Sequence, residues 1–191
     1  YIFKDRSDDE LMLRPEGTTG VIRAFLNAGL TQDIPKRFSY SGPMFRYERP
    51  QKGRLRQFNQ FGIECIGISN SMADIEVISI GYEFLKKLNL LDKINLKINT
   101  LGDTESRANY RKILLEYLED YKSELSKESI KRLSENPLRI LDSKNETDKK
   151  ILINAPNVLD YLNQNSKERF EKVCLGLDAL KINYNIDKNL V

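Results

Sequence analysis

The chain has 191 residues, 40% hydrophobic and 31% charged, with a formal net charge of +3. It contains no histidine, which excludes His general bases, Ser-His triads and His-ligated metals. Its two cysteines, Cys65 and Cys174, lack CxxC spacing, so neither a disulfide framework nor a zinc knuckle is indicated and a reducing compartment is the default.

This length holds one domain of ordinary size or a domain with a small insertion. No apolar run approaches the length of a membrane span. The charge is unevenly placed. Between Lys36 and Arg56 seven basic residues face Glu48 alone, so that segment carries +6 and the rest of the chain −3. A concentrated anion site is indicated, not a basic coat over the whole surface. The chain begins at Tyr1, without Met, inside a strand-like phrase, and is expected to be a piece of a longer protein.

In chain order, Tyr1 to Phe3 and Leu11 to Arg14 read as short strands around the polar turn Arg6 to Glu10, with Pro15 ending the second. Helical apolar spacing begins after Glu16-Gly17-Thr18, with Thr18 as the expected N-cap and Gly29 as the stop. Glu16 taken alone reads as a carboxylate complementing the helix dipole. Arg37 to Phe45 reads as a strand. Met72 to Leu88 has the three- and four-residue steps of an amphipathic helix. Ile94, Leu96 and Ile98 alternate as a strand ending near Gly102, and a helix is expected from about Thr104 to Glu119. From Tyr121 the texture becomes more charged, with a helical phrase at Ser129 to Leu133, a stop at Pro137 and an exposed polar loop at Ser143 to Lys149. Helices are expected from Pro156 or Asn157 to Leu162 and from Lys167 to Leu180, then a return strand within Leu180 to Ile186. No internal repeat is visible. The fold class is α+β, with residues 121–183 as a helical insertion between a core at 1–120 and a return strand at 184–191.

The informative stretch is Phe45 to Glu64. Arg46, Arg49, Lys52, Arg54 and Arg56 crowd a turn marked by Pro50 and Gly53. Then Arg56, Phe58, Gln60, Gly62 and Glu64 occupy every second position, which is one face of a strand. A solvated hairpin tip is the plain alternative. Guanidiniums beside an aromatic ring suit a nucleotide, since Arg forks onto phosphate and stays charged. No Walker-type loop or GxGxxG fingerprint occurs, so side chains would hold the phosphates. Four residues along a strand span about 13 Å, so Glu64, beyond Gln60, is well removed from the phosphate end at the turn and suited to N–H groups. Such a two-ended site fits the joining of a carboxylate-bearing amine to a nucleotide phosphate.

With these residues in view, the wording GPMFRYERPQKGRLRQFNQFG resembles motif 2 of class II aminoacyl-tRNA synthetases, and of the histidyl family most closely. Leu13-Arg14-Pro15-Glu16-Gly17-Thr18 resembles that family's second signature. The resemblance covers Tyr1 to about Leu101 well and the helical segment more weakly. It implies a partial class II catalytic fold, mainly antiparallel sheet flanked by helices, and ATP-dependent activation of L-histidine followed by transfer to tRNA(His). It implies that Arg46 is catalytic, bridging the histidine carboxylate and the α-phosphate. It further implies that Glu16, Gly17, Thr18, Arg46, Gln60 and Glu64 bind histidine. Arg46, Glu48, Arg54 and Phe58 would bind ATP, with Mg2+ screening the phosphates and no metal site in the protein. A cytoplasmic homodimer, not attached to a membrane, is implied for the full-length protein. Asn59 departs from the His of many relatives, but on the face turned away from ligand. The family's remaining motifs are not in these residues, so the chain alone is expected to be inactive or nearly so. A regulatory relative within ATP phosphoribosyltransferase, and a synthetase-like sensor of uncharged tRNA within a kinase, share the fold and stand as rivals.

Overall fold

In the computed structural model, which describes residues 1–191, the chain divides into two units, Tyr1–Ala73 and Asp74–Val191. The first is built on two antiparallel ribbons and one helix. Strands β1 (Ile2–Lys4) and β2 (Glu10–Met12) pair from Ile2–Met12 to Lys4–Glu10. Their turn is closed by the Asp5 carboxylate, which accepts from the Ser7 and Asp9 amides at 2.7 and 3.0 Å. Helix α1 spans Thr18–Asn27 and ends before Gly29, whose φ of +66° suits glycine.

The long ribbon joins β3 (Lys36–Phe45) to β4 (Gln57–Ile66) in unbroken register, Lys36 opposite Ile66 and Phe45 opposite Gln57. Period-two alternation puts Phe38, Tyr40, Gly42 and Met44 on one face, opposite Glu64, Gly62, Gln60 and Phe58. That face is the more covered one: Met44 is fully buried, and Phe38 meets buried Phe25 of α1 edge-on at 6.2 Å. Between the strands, Gln51 and Arg54 form a bridge closed by Lys52 and Gly53, and Gly53 takes φ +79°.

The second unit is mainly helical. It comprises the rest of α2 (Ser71–Lys87), β5 (Lys97–Ile98), α3 (Thr104–Asp120), α4 (Lys127–Glu135), α5 (Glu146–Leu152), α6 (Gln164–Ala179) and β6 (Asn185–Ile186). One core gathers Tyr110, Leu114 and Leu118 of α3 with Leu133, Ile140, Ile151, Leu152 and Val158. Each fully buried aliphatic side chain of this kind contributes about 1.5–3 kcal/mol, so α3 is welded to the segment that follows it. Tyr110 stays hydrogen-bonded there to the Pro156 carbonyl at 3.0 Å, and burial pushes its phenol up to about 12. A second cluster packs Ile75, Ile98, Val173, Leu177 and Ile182. Asp103, Ser126, Asn145 and Asn163 cap α3 to α6, each accepting from amides of the first turn.

The architecture is α+β, with helices and small, mainly antiparallel sheets. Several local expectations change. The Ile94 to Ile98 strand shortens to Lys97–Ile98, because Ile94 closes a 3-10 turn over Leu91–Lys93, and it pairs in parallel with Asn185–Ile186. The expected helix at Pro156 to Leu162 is a 3-10 turn, Val158–Tyr161.

The polar run Ser143 to Lys149 is not an exposed loop throughout: α5 starts at Glu146, and the Asp148 side chain is fully buried. Its carboxylate accepts from the Ser126 amide (2.8 Å) and from the hydroxyls of Ser126 (2.8 Å), Ser129 (2.7 Å) and Ser143 (2.6 Å). Burial pushes this carboxyl up. The hydrogen bonds from the Ser126 amide and from the Ser143, Ser129 and Ser126 hydroxyls outweigh it, and Asp148 ends below the usual carboxylate range.

Candidate active site on the long ribbon

The site residues come from three places in the first unit: the loop entering α1, the β3–β4 turn, and the covered face of β4. Gly17, not Thr18, takes the N-cap position of α1 and has no side chain to cap with. The Glu16 carboxylate does that work, accepting from the Thr19 hydroxyl and, at 3.0 Å, from the Thr19 amide. Those two bonds hold its acid below the ordinary glutamate range. Thr18 is thereby free for a distant partner: its hydroxyl donates to the Glu64 carboxylate at 2.6 Å, tying α1 to β4.

Arg46 continues the ribbon past Phe45, its amide donating to the Arg56 carbonyl at 2.9 Å. Its exposed guanidinium donates from Nε to the Pro15 carbonyl at 3.0 Å and lies over the Phe58 ring, 5.0 Å from the centroid. The turn is loosely tied. Arg54 reaches Glu48 at 3.4 Å, with both side chains about half exposed. Such a pair is worth less than about 1 kcal/mol, so a ligand can displace either partner. Arg56 does not join the covered face; it stacks over exposed Tyr47 at 4.4 Å and donates to the Glu48 carbonyl at 3.3 Å.

Farther along β4, Gln60 donates from Nε2 to the Tyr40 hydroxyl at 3.4 Å, while its Oε1 is buried without any hydrogen-bond partner. A buried acceptor left unpaired costs about 1–3 kcal/mol, so this amide is held at some expense to stability. The structure therefore brings Arg46, Phe58, Gln60, Glu64 and Thr18 along one face, with Glu16 and Gly17 at the helix start and Glu48 and Arg54 at the turn.

The model of the family described as Histidyl-tRNA synthetase matches residues 1–136. The chain belongs to the histidyl-tRNA synthetase family. A histidine–tRNA ligase of Rhodospirillum rubrum is 51% identical over 191 residues, covering 100% of this chain and 46% of that protein. One of Limosilactobacillus fermentum is 50% identical over 194 residues, covering 100% of this chain and 45% of that protein. The chain thus spans about half the length of the curated relatives it matches. Apo S. aureus histidyl-tRNA synthetase superposes with a TM-score of 0.76 at 36% identity, over 100% of this chain and 44% of that one. A Bacillus halodurans protein described as an ATP phosphoribosyltransferase regulatory subunit/histidyl-tRNA synthetase reaches 0.64 at 21% identity, over 100% of this chain and 53% of that one. At that identity it shows a shared fold only.

One residue of this histidyl-family site has no sequence signal of its own. Tyr40 stands opposite Gly62 in the register, and a Cβ built on Gly17 or on Gly62 would overlap its ring. The two glycines, one on the covered face of β4 and one at the start of α1, are the trace it leaves in the sequence. Gly62→Ala is expected to destabilise the protein by about 1–3 kcal/mol through overpacking. Thermal unfolding measures this, and an unchanged midpoint would show that Tyr40 can move aside freely.

Proposed function

We propose that the protein carrying this chain is a histidine–tRNA ligase, which activates L-histidine with ATP and passes it to tRNA(His). The observation that carries the reading is the single ribbon face on which a guanidinium, an unpaired buried amide oxygen and a carboxylate follow one another, in a chain of this family. In the first step a carboxylate oxygen of histidine attacks the α-phosphorus of ATP, and the bond to the bridging oxygen breaks, releasing pyrophosphate. The attacking carboxylate is already ionised at neutral pH, so no histidine base is required. What the step needs is stabilisation of the charge growing on the α-phosphoryl oxygens, and Arg46 supplies it.

The remaining roles follow from position along the ribbon. Arg54 holds the phosphate tail and Glu48 the adenine amino group, once they release each other. Phe58 already has one face under the Arg46 guanidinium, and the purine takes the other. Glu16, Gly17, Thr18 and Gln60 surround the α-amino group of histidine, with Gln60 Oε1 as an acceptor. Glu64, held by Thr18, takes an imidazole N–H. Magnesium enters with the nucleotide as counter-ion to its phosphates. Residues 121–183 form the insertion, packed on α3, and 184–191 return to the core. The full-length protein works as a cytoplasmic homodimer. No helix here is long and apolar enough to cross a membrane.

Pyrophosphate–ATP exchange by the full-length protein tests the reading, with exchange expected to depend on histidine and on no other amino acid. Glu64→Gln removes a charged acceptor worth about 1.5–3 kcal/mol, so it should lower kcat/KM for histidine 10- to 100-fold. The KM for ATP should stay within about twofold, because Glu64 lies at the opposite end of the site from the phosphates. No histidine-dependent exchange in the unsubstituted protein would favour a regulatory relative instead. That second reading rests only on a fold likeness at 21% identity.

A further inference from the structure

Tyr40 is not among the residues expected to bind either substrate, yet its ring lies against two glycines beside the proposed histidine site. Its ring occupies space that exists only because Gly17 and Gly62 have no Cβ. Gly17 is buried at the start of α1, and Gly62 is its register partner on β4. The ring therefore lies directly against both glycine backbones, which leave it no room to tip toward α1 or β4. The hydroxyl then meets the Gln60 amide at 3.4 Å, on its nitrogen side.

We infer that Tyr40 is a positioning residue for amino-acid binding: its ring packs against the Gly17 and Gly62 backbones, and its hydroxyl anchors the Gln60 amide at the place where that amide meets the substrate's α-ammonium group. An amide has one accepting end and one donating end. The accepting end suits the α-ammonium group, and the Tyr40 hydroxyl, able to donate or accept, holds the amide in place. With the NH2 end on Tyr40, Oε1 is buried without a partner. The inference rests on the histidine site proposed above and adds a residue that touches neither the reacting atoms nor the nucleotide.

The test is steady-state pyrophosphate exchange with the full-length protein. Tyr40→Phe keeps the ring and removes only the hydroxyl. It is expected to raise the KM for histidine about fivefold, the effect of one neutral hydrogen bond. The KM for ATP and kcat should stay within about twofold, a split that general loosening of the fold would not produce. In a Gln60→Ala background there is no amide left to anchor, so Tyr40→Phe should change the KM for histidine by less than about twofold. The inference is overturned if Tyr40→Phe leaves the KM for histidine unchanged, if it shifts all three constants together, or if its effect persists in the Gln60→Ala background. An unsubstituted protein with no histidine-dependent exchange overturns the proposed function itself, and this inference with it; normal exchange there with a silent Tyr40→Phe overturns the inference alone.

Discussion

Arg46→Ala in the full-length protein is expected to lower the rate of histidyl-adenylate formation by about 10²–10³-fold, the range found when a preorganised charge-stabilising group is removed. The reason lies in what the side chain does before any ligand arrives. Nε is bonded to the Pro15 carbonyl and Cζ lies over the Phe58 ring, 5.0 Å from its centroid. The guanidinium is therefore held by two contacts, although it is exposed, and meets the phosphate without having to be ordered first. The fold should survive its loss. A cation–π contact at an exposed site is worth about 0.5–1 kcal/mol, so the unfolding midpoint should move by a few degrees at most. Arg46→Lys should rescue little, because an ammonium cannot fork onto a phosphoryl oxygen pair while also bonding Pro15. Single-turnover adenylate formation checks this. A variant with near-normal rate constants would remove Arg46 from the chemistry.

The largest effect on stability is expected from Asp148→Ala. Four donors converge on a fully buried carboxylate. Truncation leaves the Ser126 amide and three hydroxyls facing an apolar methyl, at a cost of about 3–4 kcal/mol. Asp148→Asn, which keeps the shape and one acceptor, should cost less. The pH dependence has a definite sign. The folded acid lies below its unfolded value of about 3.9, so its contribution is fully present above that value and is lost as pH falls through the lower folded value. The stability gap between the native protein and Asp148→Ala should then be flat from about pH 5 to 8 and close below about pH 4. Urea unfolding across that range measures it. A gap that widens in acid would mean the carboxyl is protonated in the folded protein.

Asp148 also shows where sequence reading stops. Ser-Lys-Asn-Glu-Thr-Asp-Lys looks solvated by composition, and Lys144 to Thr147 are indeed exposed. What buries Asp148 is the arrival of Ser126 and Ser129 from the start of α4, about twenty residues earlier, which no local pattern encodes. Thr18 is a similar case. Spacing places the helix start correctly, but Thr18 spends its hydroxyl on Glu64, forty-six positions away, and the capping passes to Glu16. By contrast Phe58, Gln60, Gly62 and Glu64 were legible together, because period-two alternation in a ten-residue strand leaves no choice of face. The basic turn was legible for a related reason: Pro50 and Gly53 fix the bend, and Gly53 has the left-handed backbone such a bend uses. Tyr40 was hidden, since an aromatic residue on a strand reads as packing until the glycines beside it are seen in three dimensions.

A crystal structure of the full-length protein with ATP and histidinol, which cannot be activated, tests the central claim most directly. The account predicts the α-phosphate at the Arg46 guanidinium, the α-amino group on Gln60 Oε1 and the imidazole on Glu64, all along one face of β4. A nucleotide or histidinol bound elsewhere, with Gln60 Oε1 still unpaired, would contradict it.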